Sequence, residues 1–209
     1  MLRARIAVLV SGGGTNLQAL IDAQVCGALS SGEIALVVSN RRAAFALERA
    51  RMAGIETKVL SKAMVPDPDE NDAALERLLK ERRIDVIALA GYLGIIGPRV
   101  LQSWAGRIVN IHPALIPSFC GMGFYGLKVH EAALARGVKV TGATAHLVTG
   151  EVDGGPILLQ KAVSVQPDDT PETLQKRVMV EAEWQILPQA VEMIAHQVIT
   201  EQTTDPEGR

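Results

Sequence analysis

The sequence "RIAVLVSGGGTNLQAL", residues 5–20, joins an apolar run to a glycine-rich turn and then to a helical pattern. The apolar run, residues 5–11, is continuous rather than alternating, which is typical of a strand covered on both faces of a parallel sheet. After three consecutive glycines, residues 15–29 have helical spacing. A strand that passes through a tight turn into a helix is the repeating unit of parallel α/β sheets.

The same pattern continues along the chain. Continuous apolar runs predict further strands at residues 33–39, 56–60, 85–91 and 107–112, with helices at residues 43–54 and 73–83. In the second half, two longer strands at residues 138–149 and 156–165 precede a helix over residues 170–199, which Pro188 should break or kink. We predict a doubly wound, mostly parallel α/β sheet of the Rossmann-like type, with a C-terminal β extension and a long C-terminal helix.

Composition narrows the class of protein. The chain has 209 residues, 48% of them hydrophobic, and a formal net charge of −2, which fits one core and a single domain, here residues 1–199. The polar residues 200–209 are expected to form a flexible tail. No basic block favours nucleic acid or an anionic membrane, and two cysteines and four histidines lack metal-ligand spacing. Without a secretory pattern or a membrane-length apolar run, we expect a cytoplasmic protein that needs no metal.

Gly12, Gly13 and Gly14 stand between the first strand and the first helix. Glycine accepts the backbone angles that turn N–H groups toward an anion, and the helix N-terminus adds unpaired donors and a positive dipole end. Thr15 and Asn16 can add side-chain donors. The spacing matches neither the GxGxxG motif nor the P-loop, so it favours one phosphate monoester over a nucleoside triphosphate. The alternative interpretation is a tight turn that binds nothing.

The sequence "NIHPALIPSF", residues 110–119, ends another buried strand with two polar side chains. Asn110 and His112 share a face of the strand, roughly 6–7 Å apart, at the edge where open α/β sheets bind ligands. An amide and a protonated imidazole suit an oxyanion, and a nearby Asp153 would raise the pKa of the imidazole. This set contains no Ser or Cys nucleophile, which favours direct acyl transfer. The alternatives are a buried core histidine and an aspartate that only serves a turn.

Five segments together resemble the phosphoribosylglycinamide formyltransferases, the folate-dependent transformylases of glycinamide ribonucleotide (GAR). They are "SGGGTNLQAL" (11–20), "AGYLGII" (90–96), "NIHPALIPSF" (110–119), "GVKVTGATAHLV" (137–148) and "VDGGPILLQ" (152–160). The similarity runs from about residue 5 to residue 192. It implies the Rossmann-like formyltransferase fold and formyl transfer from the cosubstrate 10-formyltetrahydrofolate to the GAR amine, in de novo purine biosynthesis. Residues 1–105 would then form the GAR-binding half, and residues 106–199 the catalytic and folate-binding half.

The resemblance also implies site residues. Asn110, His112 and Asp153 correspond to the catalytic residues, and His146 to a supporting histidine. The GAR-binding residues implied are Gly14, Thr15, Asn16 and Glu183. The folate-binding residues implied are Leu93, Gly94, Ile95, Ile96, Asn110, Thr149, Gly150, Glu151, Val152 and Asp153.

This chain departs from the family pattern at several positions. Gly94 replaces a common arginine, and Trp184 follows Glu183 where a histidine is usual. The loop at residues 65–72 lacks an arginine that some members direct at the folate, for which Asn71 could substitute. No role is assigned to Met122, Tyr125, His130 or Trp184.

Other functions remain as alternatives. A 10-formyltetrahydrofolate hydrolase would use water in place of the amine, although such enzymes usually carry an additional N-terminal domain. A methionyl-tRNA formyltransferase would need an RNA-binding domain and a basic surface. A nucleotide-cofactor dehydrogenase would need a third motif glycine and an acid after the second strand, where "VVSNRR" has Ser39, Asn40 and Arg41. A non-enzymatic nucleotide-binding module gives Asn110, His112 and Asp153 no reason to converge. The expected partners are small molecules, and the sequence does not decide between monomer and homodimer.

Overall fold

A computed structural model describes residues 2–204 as seven strands and seven α-helices around one sheet. The strands are β1 Ala4–Val10, β2 Gly32–Ser39, β3 Glu56–Val59, β4 Val86–Leu89, β5 Ile108–His112, β6 Val140–Leu147 and β7 Ile157–Ser164. The helices are α1 Thr15–Val25, α2 Phe45–Met52, α3 Pro68–Glu81, α4 Pro98–Ser103, α5 Leu127–Arg136, α6 Pro171–Val178 and α7 Trp184–Thr204. A π-helical turn, Met179–Glu183, joins α6 to α7. Within residues 2–204, no helix has the length and apolar character needed to cross a membrane.

The sheet order is β3-β2-β1-β4-β5-β6-β7. The first five strands in this order are parallel, and β6 and β7 are antiparallel to their neighbours. The predicted α/β fold, its β extension and its long C-terminal helix are therefore confirmed. Because successive connections from β1 lead first to β2 and later to β4, the strand order reverses at β1, and a crevice opens at the carboxyl ends of β1 and β4.

Two apolar layers cover the sheet, and β1 contributes to both. Ile6, Val8 and Val10 pack with α1, α2 and α7 on one face, while Ala7 and Leu9 pack with α3 and α4 on the other. All five side chains are fully buried. This burial explains why the strand reads as a continuous apolar run, since neither face of the sheet meets water at β1.

The C-terminal helical region differs from the prediction in two ways. The interruption falls in the π-helical turn and not at Pro188, which lies inside α7. Pro188 lies in the first part of α7, and the helix continues through it to Thr204. The helix also continues to Thr204, where the Thr200 and Thr204 hydroxyls donate to carbonyls of the preceding turn. Residues 200–204 therefore belong to the helix. The flexibility of the tail from residue 200 stays a prediction, and residues 205–209 lie outside the described residues.

Three other elements were missed or displaced. Helices α4 and α5 were not predicted, because Pro98 and the glycines before Leu127 interrupt the apolar pattern. Part of the expected loop at residues 65–72 belongs to α3, whose first turn is capped by Asp67. Asn71 lies in this helix and donates to the Val65 carbonyl, so its amide serves the turn before α3.

Candidate active site

Asn110 and His112 lie on β5 beside the antiparallel strand β6, whose register places His146 opposite Asn110. The amide Nδ2 of Asn110 is 3.1 Å from His146 Nε2, and His146 Nδ1 is 2.9 Å from the Leu147 carbonyl oxygen. Because a carbonyl can only accept, His146 Nδ1 carries a proton, and Nε2 lies between the Asn110 amide and the Asp153 carboxylate. This pairing fixes the Asn110 amide and leaves its second N–H for a ligand.

Asp153 joins the two histidines from the loop between β6 and β7. Its carboxylate oxygens lie 3.5 Å from His112 Nδ1 and 3.6 Å from His146 Nε2. Its backbone has a φ of 57°, a left-handed conformation that aspartate tolerates better than most residues. The Gly121 N–H donates to the same carboxylate at 2.9 Å. The structure thus brings together the three side chains that the sequence singled out and places His146, the expected supporting histidine, in contact with Asn110 and Asp153.

The electrostatics of this cluster correct one expectation. Burial lowers the pKa of His112 below its usual value, and the opposing attraction of Asp153 and the Phe119 carbonyl does not reverse it. The prediction of a raised His112 pKa was therefore wrong, because burial destabilises the charged ring more than the Asp153 carboxylate stabilises it. Burial acts to raise the pKa of Asp153, but hydrogen bonds from His146 and Gly121 and the charge of His112 bring it below the ordinary value.

Both ring nitrogens of His112 face acceptors of the protein. Nδ1 faces Asp153, and Nε2 lies 2.8 Å from the carbonyl oxygen of Phe119. Since that carbonyl only accepts, Nε2 carries a proton in this arrangement. The ring can therefore donate to a substrate oxygen only if that oxygen takes the place of the Phe119 carbonyl. Phe119 itself has a φ of 50° and begins a segment with glycines at 121, 123 and 126.

The glycine-rich turn is fixed through its carbonyls. The carbonyl oxygens of Gly12 and Gly13 accept from the Ala46 N–H at 3.0 Å and from Arg49 Nε at 2.8 Å. Helix α1 has no side-chain cap at its N-terminus, so the N–H groups of its first turn stay available to an anion. Gly14 has a φ of 75°, and a Cβ there would stand 2.6 Å from the Ala46 Cβ. The turn therefore serves helix packing, and its uncapped donors also suit a phosphate.

Asn16 and Glu183 form a buried pair between α1 and the π-helical turn. Asn16 Nδ2 donates to Glu183 Oε2 at 2.6 Å, while Asn16 Oδ1 has no partner among residues 2–204. Burial raises the pKa of Glu183 to about 7, and the Asn16 bond opposes this only in part. π-Helical turns are frequent at functional sites. An unsatisfied oxygen and a carboxyl group that changes its charge near pH 7 suit the hydroxyl and amine groups of a polar ligand.

One cavity of about 700 Å³ joins these groups, a volume typical of small-molecule sites. The predicted site residues that line it are Asn16, Leu93, Gly94, Ile95, Asn110, His112, Val152, Asp153 and Glu183. Other predicted residues lie elsewhere: Ile96 is buried in the core with α3 and α4, and Thr15 faces a groove between α1 and α7. Gly14, Thr149, Gly150 and Glu151 do not line the cavity. Whether any of these contacts a substrate stays a prediction.

Several lining residues were missed from the sequence. They are Ser11, Arg41, Tyr92, Phe124, Gln175 and Met179. Ser11 and Arg41 follow the carboxyl ends of β1 and β2, a position that could have marked them. Among the unassigned residues, Met122 and Tyr125 also line the cavity, whereas His130 is buried on α5 and Trp184 lines the groove between α1 and α7.

The chain is similar to known proteins over most of its length. Residues 4–191 match the family described as "Formyl transferase". The phosphoribosylglycinamide formyltransferase of Haemophilus influenzae is 41% identical over 184 residues, which cover 88% of this chain and 84% of that protein. A crystal structure of glycinamide ribonucleotide transformylase 1 from Symbiobacterium toebii has a TM-score of 0.87 and 42% identity, covering 93% of this chain and 89% of that one.

A longer relative covers the same region. The human trifunctional purine biosynthetic protein adenosine-3 is 44% identical over 193 residues, which are 92% of this chain but only 18% of the human protein. This chain therefore spans less than a fifth of that relative's length. Because the family match includes both the glycine-rich turn and the Asn110, His112 and Asp153 cluster, the chain belongs to the formyl transferase family.

Proposed function

We propose that this protein transfers the formyl group of 10-formyltetrahydrofolate to the amine of GAR, a step of de novo purine biosynthesis. One observation carries the proposal: the polar cluster around Asp153 and the Asn16–Glu183 pair beside the uncapped α1 N-terminus open into the same cavity. A phosphorylated amine bound at the helix end can thus reach a formyl group held at the cluster.

The cavity suits both substrates. We assign the phosphate of GAR to the first turn of α1 and its polar body to the buried pair of Asn16 and Glu183, whose amide and carboxyl groups match hydroxyl and amine groups. The flat ring of the folate is assigned to the backbone edge from Leu93 to Ile95, where the Ile95 side chain is exposed in the cavity. Because this edge uses backbone groups, Gly94 can replace the arginine common in the family. Val152 and Asp153 close the other side.

The chemistry follows from the cluster. The GAR amine attacks the formyl carbon, a new C–N bond forms, and the bond to the folate nitrogen breaks. The negative charge that develops on the formyl oxygen is stabilised by the free N–H of Asn110 and by His112 Nε2–H, once the formyl oxygen replaces the Phe119 carbonyl. Asp153, ionised at neutral pH, favours the charged imidazole and, through water, passes the proton of the amine to the leaving nitrogen.

The nearby thiol does not suggest a covalent route. Cys120 follows Phe119, and its thiol donates to the Pro117 carbonyl. Burial raises the pKa of Cys120, and the charge of Asp153 raises it further. A thiol that stays protonated is a poor nucleophile, so the geometry favours direct transfer between the two substrates.

A formyl-transfer assay with purified protein tests the proposal. We expect formyl-GAR to form only when both GAR and 10-formyltetrahydrofolate are present, and Asp153→Asn protein to serve as the inactive control. Rapid formate release without GAR would establish a hydrolase in its place. Binding of NAD with no formyl transfer would establish the dehydrogenase alternative.

A further inference from the structure

We propose that Arg41 binds the phosphate of the substrate and so selects for phosphorylated amines. This proposal rests on the proposed function, because it names the residue that supplies positive charge at the GAR end of the cavity. Arg41 belongs neither to the glycine-rich turn nor to the cluster around Asp153.

The sheet brings Arg41 to the cavity. Strands β1 and β2 are parallel, and Val10 is aligned with Ser39. The chain therefore leaves both strands at the same edge, with Gly12 two residues beyond one strand end and Arg41 two residues beyond the other. Arg41 and Gly12 line the same cavity, together with Asn16.

Hydrogen bonds fix the backbone at Arg41, whereas its side chain is exposed and has no ion pair among residues 2–204. The Ser39 hydroxyl donates to the Arg41 carbonyl at 2.9 Å and accepts from the Arg41 N–H at 3.1 Å. The adjacent Asn40 accepts from the Ser11 hydroxyl at 2.7 Å, which ties the two strand ends together. The Arg41 side chain is exposed, and among residues 2–204 no carboxylate forms an ion pair with it. A positive charge therefore lies at the cavity without a protein partner.

The charge at the helix end and the hydrogen bonding of Asn16 together indicate a sugar phosphate. The helix end offers N–H groups but only a partial positive charge, whereas a phosphate monoester carries about −1.5 to −2 at pH 7. A guanidinium supplies the missing full charge and can hold two phosphate oxygens at once. Asn16, only 7% exposed, lines the same cavity, and its buried oxygen has no partner within the part of the chain that the structure describes. That acceptor needs a donor such as a sugar hydroxyl next to the phosphate.

The neighbouring arginines provide the contrast. Arg49 is already engaged, because its Nε donates to the Gly13 carbonyl and its Nη1 donates to Gln18 Oε1 at 3.1 Å. Arg42 follows Arg41 in the chain and is also exposed, but it does not line the cavity. Arg42 thus has the same charge and a similar exposure, and it serves as the matched control.

The first experiment compares Arg41→Gln with Arg42→Gln in the formyl-transfer assay. We expect Arg41→Gln to raise the KM for GAR by about tenfold or more, with kcat and the folate KM within about twofold of wild type. Arg42→Gln should match wild type, and Arg41→Lys should recover part of the loss. An unchanged GAR KM in Arg41→Gln protein would overturn the proposal.

A second measurement separates this proposal from the proposed function. Ribose 5-phosphate, without any formyl donor, should protect wild-type and Arg42→Gln protein against thermal unfolding but should not protect Arg41→Gln protein. This result would support Arg41 even if GAR were not formylated. Equal protection of Arg41→Gln protein, or no protection of wild-type protein, would show that Arg41 holds no phosphate.

Discussion

At His112, two neighbouring groups and burial decide whether the ring is charged. Asp153 and the Phe119 carbonyl favour the charged form, and burial favours the neutral form and prevails in the structure described. A bound substrate that develops negative charge would add a further attraction, so the ring should charge when it is needed and not before. The contribution of His112 therefore depends on Asp153.

We predict that His112→Ala and Asp153→Asn each lower turnover by at least ~10²-fold, because each removes a group that stabilises the developing oxyanion. Steady-state formyl transfer measures the loss, and thermal unfolding checks the fold. Asp168→Asn, a change in an exposed loop outside the cavity, is the control and should retain wild-type turnover. Near-normal turnover in either active-site variant would remove that residue from the mechanism.

Glu183 should make the stability of the protein depend on pH. Its pKa is about 7 in the folded protein against an ordinary 4.5, so the folded state holds an additional proton between these values. Its contribution to stability is fully present below pH 4.5 and is lost as the pH rises through 7. Glu183→Gln should abolish this loss, which is at most ~3 kcal/mol. Denaturant unfolding from pH 4.5 to 8 measures this loss, with a change at an exposed residue, Glu181→Gln, as the control. The same dependence of stability on pH in wild-type and Glu183→Gln protein would contradict the assignment.

At the scale of elements, the glycine-rich turn joins β1, α1 and α2. Gly14 has a positive φ and packs against Ala46 of α2, whereas a Cβ at Gly13 would meet no atom of residues 2–204 within 4 Å. We predict that Gly14→Ala destabilises the protein by ~1–3 kcal/mol, from left-handed strain and overpacking. Gly13→Ala should stay within ~0.5 kcal/mol of wild type. Urea unfolding compares the two. Equal stabilities of the two variants would show that α2 can move away from Gly14 without destabilising the protein. A substitution at Gly14 could then test phosphate binding directly.

At the scale of the whole molecule, His130 couples the core to pH. It is fully buried on α5, and neither ring nitrogen has a partner among residues 2–204. Burial, with a smaller effect of His112, lowers its pKa to about 4 from 6.5. The unfolded chain thus binds the additional proton, and stability should fall as the pH falls from about 6.5 through 4.

The measurement needs a background without Glu183, whose effect has the opposite sign over an overlapping range. In Glu183→Gln protein, we predict that the free energy of unfolding falls by up to ~3 kcal/mol as the pH falls from about 6.5 through 4, and that His130→Leu abolishes this fall. His196→Leu, a change at an exposed histidine of α7, should leave the slope unchanged. If the protein with His130→Leu still loses its full stability at low pH, groups other than His130 cause the pH dependence.

The sequence by itself determined the features that depend on neighbouring residues. Continuous apolar runs specified β1, β2, β4 and β5 as buried parallel strands, because a strand covered on both faces excludes polar residues throughout. The three glycines marked the turn into α1. The spacing of Asn110 and His112 placed both at one strand end, since alternate residues share a face.

Only the tertiary structure decided what depends on distant residues. The pairing of His146 with Asn110 follows from the register of β6 against β5. The lowered pKa of His112 follows from the packing around it, which no local pattern records. Ile96 turns into the core while Ile95 faces the cavity, and Arg41 lines the same cavity as Gly12 because two parallel strands end together. Desolvation and strand register are properties of the assembled sheet, so they become definite only when segments far apart in the chain meet.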